Sequence, residues 1–268
     1  MEKKRFNGKA IYQPKGAAAE YAEWACNFHV GCSNNCSYCF NKRWQWGCIP
    51  TMKKCFKDEN NALEVFEKEL LHNLPELQKH GLFFSFTTDP CLSSTISLTE
   101  QAIVRCVENN INVKILTKSN LAAKYCNNRN WFYNYRKKIA IGFTLTGHDE
   151  LETNASTNAE RIEAMRKLHE AGFKTWASIE PIIDVDSSLR MISKTARLGI
   201  CDLYTIGLES GKKYDKTLIN NFINTSIYEI KYHGNFAKIY FKDSLLKAAE
   251  INREDLPANS VSRDYKLI

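Results

Sequence analysis

The chain has 268 residues, of which 44% are hydrophobic and 12% aromatic, with only 12 Gly and 6 Pro. That composition can fill a large core and excludes low-complexity disorder and collagen-like architecture. Thirty-seven Lys and Arg against 30 Asp and Glu leave a net charge of +7, which permits an anionic partner such as nucleic acid without requiring one.

The opening residues, Met1 to Gly8, lack the apolar stretch of a signal peptide. No run approaches the ~18–20 apolar residues of a membrane helix. A cytoplasmic location without membrane contact is therefore expected. Ten cysteines stand at 26, 32, 36, 39, 48, 55, 91, 106, 126 and 201. In a reducing compartment such a set points to metal or redox chemistry and not to a disulfide framework.

Along the chain, short apolar runs alternate with helical patterns. Strands are expected over Trp24–Val30, Leu82–Thr88, Asn112–Thr117, Ile139–Thr146, Lys174–Ile179, Leu203–Gly207 and Ala237–Phe241. Between them, Leu63, Phe66, Leu70 and Leu74 share a helical face. A second helix runs from Thr99 to Asn109. Thr157-Asn158-Ala159-Glu160 has the form of a capping box and opens a third, with Ile162, Met165 and Leu168 inward and Gly172 placed to end it. Weaker helices cover Asp186–Leu198 and Lys213–Ile223. This alternation implies α/β architecture, a parallel sheet with right-handed crossovers. Seven strands suggest a barrel or partial barrel, with chemistry gathered at their C-terminal ends. With no internal repeat or linker, one domain over 1–268 is expected, its core at about 20–242.

The sharpest motif is Gly31-Cys32-Ser33-Asn34-Asn35-Cys36-Ser37-Tyr38-Cys39. Three thiolates on one loop can hold three irons of a [4Fe–4S] cube, leaving the fourth iron open. Zinc is the competing occupant, with Cys26 or His29 as its fourth ligand. Cys48 and Cys55, flanking a loop with Trp44 and Trp46, offer two ligands of a second site. Cys26, Cys106, Cys126 and Cys201 fall in patterns that read as core.

With an aromatic before its last cysteine, this triplet resembles the signature of radical S-adenosylmethionine (SAM) enzymes. Phe83 to Pro90, Val113 to Ser119, Gly142 to Thr146 and Asn158 to Gly172 follow in order. The succession is similar to the spore photoproduct lyase-like, DNA repair photolyase branch, over roughly residues 10 to 185. The resemblance implies a partial (β/α)6 barrel, a [4Fe–4S] cluster on Cys32, Cys36 and Cys39, and SAM chelated at the open iron. It implies reductive cleavage of SAM to a 5′-deoxyadenosyl radical that takes a hydrogen atom from the substrate. It also implies an external one-electron donor of the flavodoxin or ferredoxin type.

Carried onto this chain, the resemblance makes Tyr38, Thr88, Lys118, Thr144 and Glu180 candidate SAM contacts. Lys118 would place its charge on the SAM carboxylate; Glu180 would meet the ribose hydroxyls or the amino group, or else form a structural ion pair. Asp89-Pro90 either orients SAM or shapes the turn, and Glu209 is a weaker candidate of the same kind. The lyase family carries a hydrogen-donating cysteine where this chain has Phe86. Cys91 is then the candidate radical partner, its alternative a small buried hydrophobe. Lys3-Lys4-Arg5, Lys42-Arg43 beside Trp44 and Trp46, and Arg136-Lys137-Lys138 motivate a nucleic-acid or nucleotide substrate. The competing function is a zinc or iron–sulfur protein that binds nucleic acid or senses redox state without SAM chemistry.

Overall fold

Parallel strands joined by helices need both faces of their sheet covered, and the chain meets that need in two unequal ways. The computed structural model describes residues 5–43, 52–128, 130–233 and 236–268. Its strands are β1 Ile11–Tyr12, β2 Ala25–Cys26, β3 His29–Val30, β4 Lys53–Lys54, β5 Leu82–Phe84, β6 Val113–Thr117, β7 Ile139–Thr144, β8 Lys174–Ile182, β9 Leu203–Leu208 and β10 Lys238–Phe241. The helices are α1 Glu59–His72, α2 Leu74–His80, α3 Ile96–Glu108, α4 Leu121–Asn128, α5 Asn130–Asn134, α6 Asn158–Glu170, α7 Val185–Leu198, α8 Lys216–Tyr232 and α9 Asp243–Ala249.

The main sheet runs β1-β2-β5-β6-β7-β8-β9-β10. Every neighbour from β2 to β10 is parallel, and β1 adds antiparallel to the β2 edge. The expected α/β class and parallel sheet are present, as an open sheet whose β1 and β10 edges are not paired with each other. β1 and a bridge from Ile239 to Ser260 carry the sheet beyond the expected 20–242 core.

Helices cover one face. Alternate strand residues (Val113 and Ile115, Ile139, Ile141 and Phe143, Ala177 and Ile179, Tyr204 and Ile206) point into the larger core cluster, where α1 contributes Phe66 and Leu70 and α6 contributes Met165 and Leu168. Local signals set the helix starts. Asp58 caps α1 by accepting from Asn61 N, and Thr157 with Glu160 completes the expected capping box of α6. α7 stops at Gly199, whose φ of +65° suits glycine. Two expectations shift. The face continued through Leu74 divides at Asn73, because Pro75 fits only the first turn of a new helix. α3 begins at Ile96, three residues before expected, because Thr95 Oγ1 donates to the Asp89 carbonyl and anchors the start.

The inner face carries the smaller cluster of Ala25, Phe83, Ala140, Trp176, Leu203, Tyr240 and Leu267. Residues 17–21 cross it. Lys242 Nζ donates to the Ala17 carbonyl (3.0 Å), Tyr240 Oη to Glu20 (2.8 Å), and Lys114 Nζ to the Tyr21 carbonyl (2.9 Å). Tyr21 Oη meets Ser178 Oγ at 2.8 Å. These bonds tie β10, β8 and β6 together across the face where the edges do not pair. No helix among the described residues is long and apolar enough to cross a membrane.

Candidate active site

The cysteine loop leaves the sheet after β2, at the C-terminal ends of the parallel strands. Gly31 at φ +88° and Asn35 at φ +49° hold left-handed backbone that turns it tightly. The loop is fastened from both sides. Thr88 donates its hydroxyl to the Gly31 carbonyl, Ser37 N donates to the Leu151 carbonyl at 2.8 Å, and Asn154 Nδ2 donates to the Ser33 carbonyl at 2.9 Å.

Asp89 is the hub beneath it. Its Oδ2 accepts from Asn34 Nδ2 (3.0 Å) and Lys118 N (2.7 Å), and its Oδ1 from Thr117 Oγ1 (2.6 Å) and Cys91 N (2.9 Å). Between the two readings of Asp89, this geometry supports the turn-shaping one. The carboxylate fixes the cysteine loop, the end of β6 and the approach to α3 to one another.

A second carboxylate lies deeper. Glu152 and Arg161 are fully buried, with Arg161 Nη2 to Glu152 at 2.5 Å. Arg161 also donates to the Ser156 carbonyl (2.7 Å) and the Thr144 carbonyl (2.8 Å). Tyr38 donates its hydroxyl to Glu152. Burial first, then the Glu152 carboxylate, raises the Tyr38 phenol well above its ordinary value, so Tyr38 is a locked neutral donor. Lys118 Nζ lies 5.6 Å over the Tyr38 ring. Burial acts to lower its amine, but Cys36, Glu152 and Asp89 outweigh that and hold the ammonium above its usual value.

The thiols sit within this polar frame. Burial pushes Cys32 up to about 11, helped by Asp89, and raises Cys36, which faces the Lys118 charge. Unmetallated, Cys32 and Cys36 are protonated thiols; a bound metal replaces the proton. A single zinc ion with bonds of ~2.3 Å needs its sulfurs drawn together within one shell. Among the described residues no three His, Cys, Asp or Glu side chains are gathered to hold one ion. Cys26 lies in the core beside Cys106 and Cys55, and His29 is buried on the short β3–β4 ribbon. The three loop thiols and the adjacent Lys118 ammonium suit an anionic group such as a cube.

The remaining candidates fall on different faces. Thr144 ends β7 on the inner side, two residues from Gly142, where a Cβ would strike the Trp176 ring. Glu180 is on the inner face of β8, but its carboxylate accepts from Lys242 Nζ (2.8 and 3.0 Å) and from the Tyr21 hydroxyl. The ion-pair alternative is thus realised. Gly207 makes room for it, since a Cβ there would lie within 3.0 Å of both partners. Cys91 is 3% exposed inside the larger core cluster, between sheet and helices, a placement that favours packing. Glu209 heads a turn, its N bonded by Tyr214. Phe86 stacks on Phe83 at 4.4 Å and borders Tyr21.

Tyr21, Lys242 and the Glu152–Arg161 pair were not among the expected site residues. Lys242 had a signal, a lysine directly after an apolar strand, the same pattern that singles out Lys118. Tyr21 had none. Lys3, Lys4, Trp44, Trp46 and Cys48 lie outside the described residues. Arg136–Lys138 precedes β7, at the opposite end of the sheet from the cysteine loop.

No family model matches the chain. An uncharacterised protein of Methanocaldococcus jannaschii is 25% identical over 181 residues, covering 60% of this chain. The chain spans 61% of the length of that curated relative. The described architecture shares its fold with solved radical SAM enzymes. Spore photoproduct lyase complexed with dinucleoside spore photoproduct superposes with a TM-score of 0.64 at 16% identity, over 86% of this chain and 80% of that one. A double variant of the lyase with bound AdoMet and dinucleoside spore photoproduct gives 0.64 at 14% identity, over 87% and 80%. Streptococcus suis SuiB bound to S-adenosylmethionine gives 0.59 at 13% identity, over 84% and 51%. Both neighbours are radical SAM enzymes, and at these identities the likeness is one of fold.

Proposed function

We propose that the chain is a radical SAM enzyme whose Cys32, Cys36 and Cys39 hold a [4Fe–4S] cluster. The carrying observation is three thiols on one tight loop at the C-terminal ends of parallel strands, braced by Asp89 and faced by the Lys118 ammonium. When bound, the reduced cluster supplies the electron that cleaves SAM and so initiates hydrogen-atom abstraction.

The chain's own residues position and shield. Lys118 offers a fixed cation to the SAM carboxylate, and the Thr144 hydroxyl at the end of β7 offers a polar contact. Tyr38, held neutral against Glu152, packs its ring under Lys118 and closes the floor of the site to water. Thr88 acts through the loop it fastens. Glu180, Lys242 and Tyr21 shape the inner wall and keep its charges paired. An external flavodoxin- or ferredoxin-type protein would deliver the electron. Nucleic acid or a nucleotide is the leading substrate class, supported by the lyase fold and the net charge. Phe86 at the donor-cysteine position makes thymine-lesion repair by the same hydrogen return unsupported. A cytoplasmic setting agrees with oxygen-sensitive cluster chemistry.

Anaerobic incubation of the reconstituted chain with SAM and a strong reductant should yield 5′-deoxyadenosine. Loss of that product in Cys36→Ala is expected; a Cys36→Ala protein that still forms it would rule the proposal out.

A further inference from the structure

The end of the sheet opposite the cysteine loop also opens to solvent. A cavity of about 750 Å³ lies at the starts of β5 and β6, walled by residues 78–82, by Asn112, and by segments from both ends of the described chain. Its volume falls within the roughly 300–1,000 Å³ of small-molecule sites.

The walls are cationic. Arg5, Lys79, Lys114, Arg263 and Lys266 outnumber Glu23 and Asp264. Glu23 is engaged by His80 at 3.0 Å, while Lys266 Nζ donates to the Lys79 carbonyl (2.7 Å) and Arg5 to the Pro14 carbonyl (3.1 Å).

Lys114 is the unusual member. Its neighbours Val113 and Ile115 point into the helix-side core, so its own side chain enters the inner face. There it donates to the Tyr21 carbonyl and lies 5.2 Å over the Trp176 ring. It makes no ion pair with any described residue. Burial alone lowers its amine to about 8. A desolvated cation without a counter-ion is costly, and an anion in the cavity would relieve that cost.

We propose that this cavity binds a small phosphate-bearing molecule, with Lys114 at its inner wall and the guanidinium groups of Arg5 and Arg263 at its rim. The planar forks of two arginines suit phosphate oxygens, and Leu82, Leu267 and Tyr265 supply apolar wall for the rest of the ligand. This site is independent of the cluster chemistry.

Pyridoxal 5′-phosphate is a suitable probe, because it couples a phosphate to an aldehyde that condenses with an amine, releasing water. At pH 7.5 about a quarter of an amine with a value near 8 is unprotonated, against about 0.1% for an ordinary lysine. The full-length chain is treated with the probe, fixed with borohydride and mapped by mass spectrometry. Lys114 should be labelled ahead of the surface lysines. Inorganic phosphate or glycerol 3-phosphate should slow that labelling about tenfold relative to chloride of equal ionic strength. Protection by both indicates that phosphate itself suffices, and protection by the ester alone indicates an organic ligand. Arg263→Gln, at an exposed position, should weaken the protection without unfolding the chain. Labelling spread evenly over surface lysines, or labelling of Lys114 that phosphate and the ester leave unchanged, would overturn the assignment.

Discussion

Replacing Arg161 by Met removes the one cation that the structure places against Glu152 in a fully buried pair. It also deletes donors to the Ser156 and Thr144 carbonyls. Methionine keeps much of the volume, so a cavity is not the main cost. The main cost is a desolvated carboxylate left with only the Tyr38 hydroxyl and the charge of Lys118, and breaking one side of a buried pair typically costs about 3–5 kcal/mol. At roughly 2–4 °C per kcal/mol for a chain of this size class, the melting temperature should fall by about 6–20 °C. Urea unfolding followed by circular dichroism measures the loss directly. Tyr38 donates to the same carboxylate, so cluster retention should fall alongside stability. The double change Arg161→Met, Glu152→Leu removes the stranded charge and should recover part of the loss. A single variant within about 1 kcal/mol of the parent would refute the reasoning, because a buried carboxylate deprived of its paired guanidinium cannot be that cheap.

Asp89→Ala deletes four accepted hydrogen bonds, and anaerobic reconstitution should then load substantially less iron while far-UV circular dichroism stays close to the parent. Gly142→Ala places a Cβ within 2.1–2.5 Å of the Trp176 indole and should destabilise by about 1–3 kcal/mol or more through overpacking, read from denaturant midpoints. Phe66→Ala empties a fully buried position in the helix-side core and should cost about 3–5 kcal/mol. His148 bridges Glu150 and Asp184 between the loops after β7 and β8. Burial acts to lower its value, but the two carboxylates raise it above the ordinary one, while Asp184 is held down at about 2. A raised histidine stabilises fully below its unfolded value near 6.5 and loses that contribution as pH climbs through the folded one. The stability difference between the parent and His148→Gln should therefore be larger at pH 5.5 than at pH 8.5; equal differences would show that the bridge carries no charge.

How much of this was readable in advance depended on sequence distance. The cysteine loop was legible because its spacing is local, and α6 because its capping box spans four residues. The expected strand Trp24–Val30 splits into β2 and β3 because Asn27 turns its side chain to accept from Phe86 N at 3.0 Å. The expected strand to Thr88 ends at Phe84 for a related reason: Thr87 donates to the His29 carbonyl at 2.5 Å and Thr88 to that of Gly31, leaving the ladder. Such side-chain capture of backbone has no periodicity to betray it. The roles of Asp89, Glu180 and Arg161 were equally hidden. Their partners stand up to 159 residues away, and which carboxylate meets which cation follows only from the sheet order.

The central claim is a cluster held by three cysteines with one corner free. Anaerobically purified protein should carry about four irons with matching sulfide, and the electron paramagnetic resonance signal of its reduced form should change when SAM is added. Iron-free protein, or a cluster whose signal is indifferent to SAM, contradicts the claim.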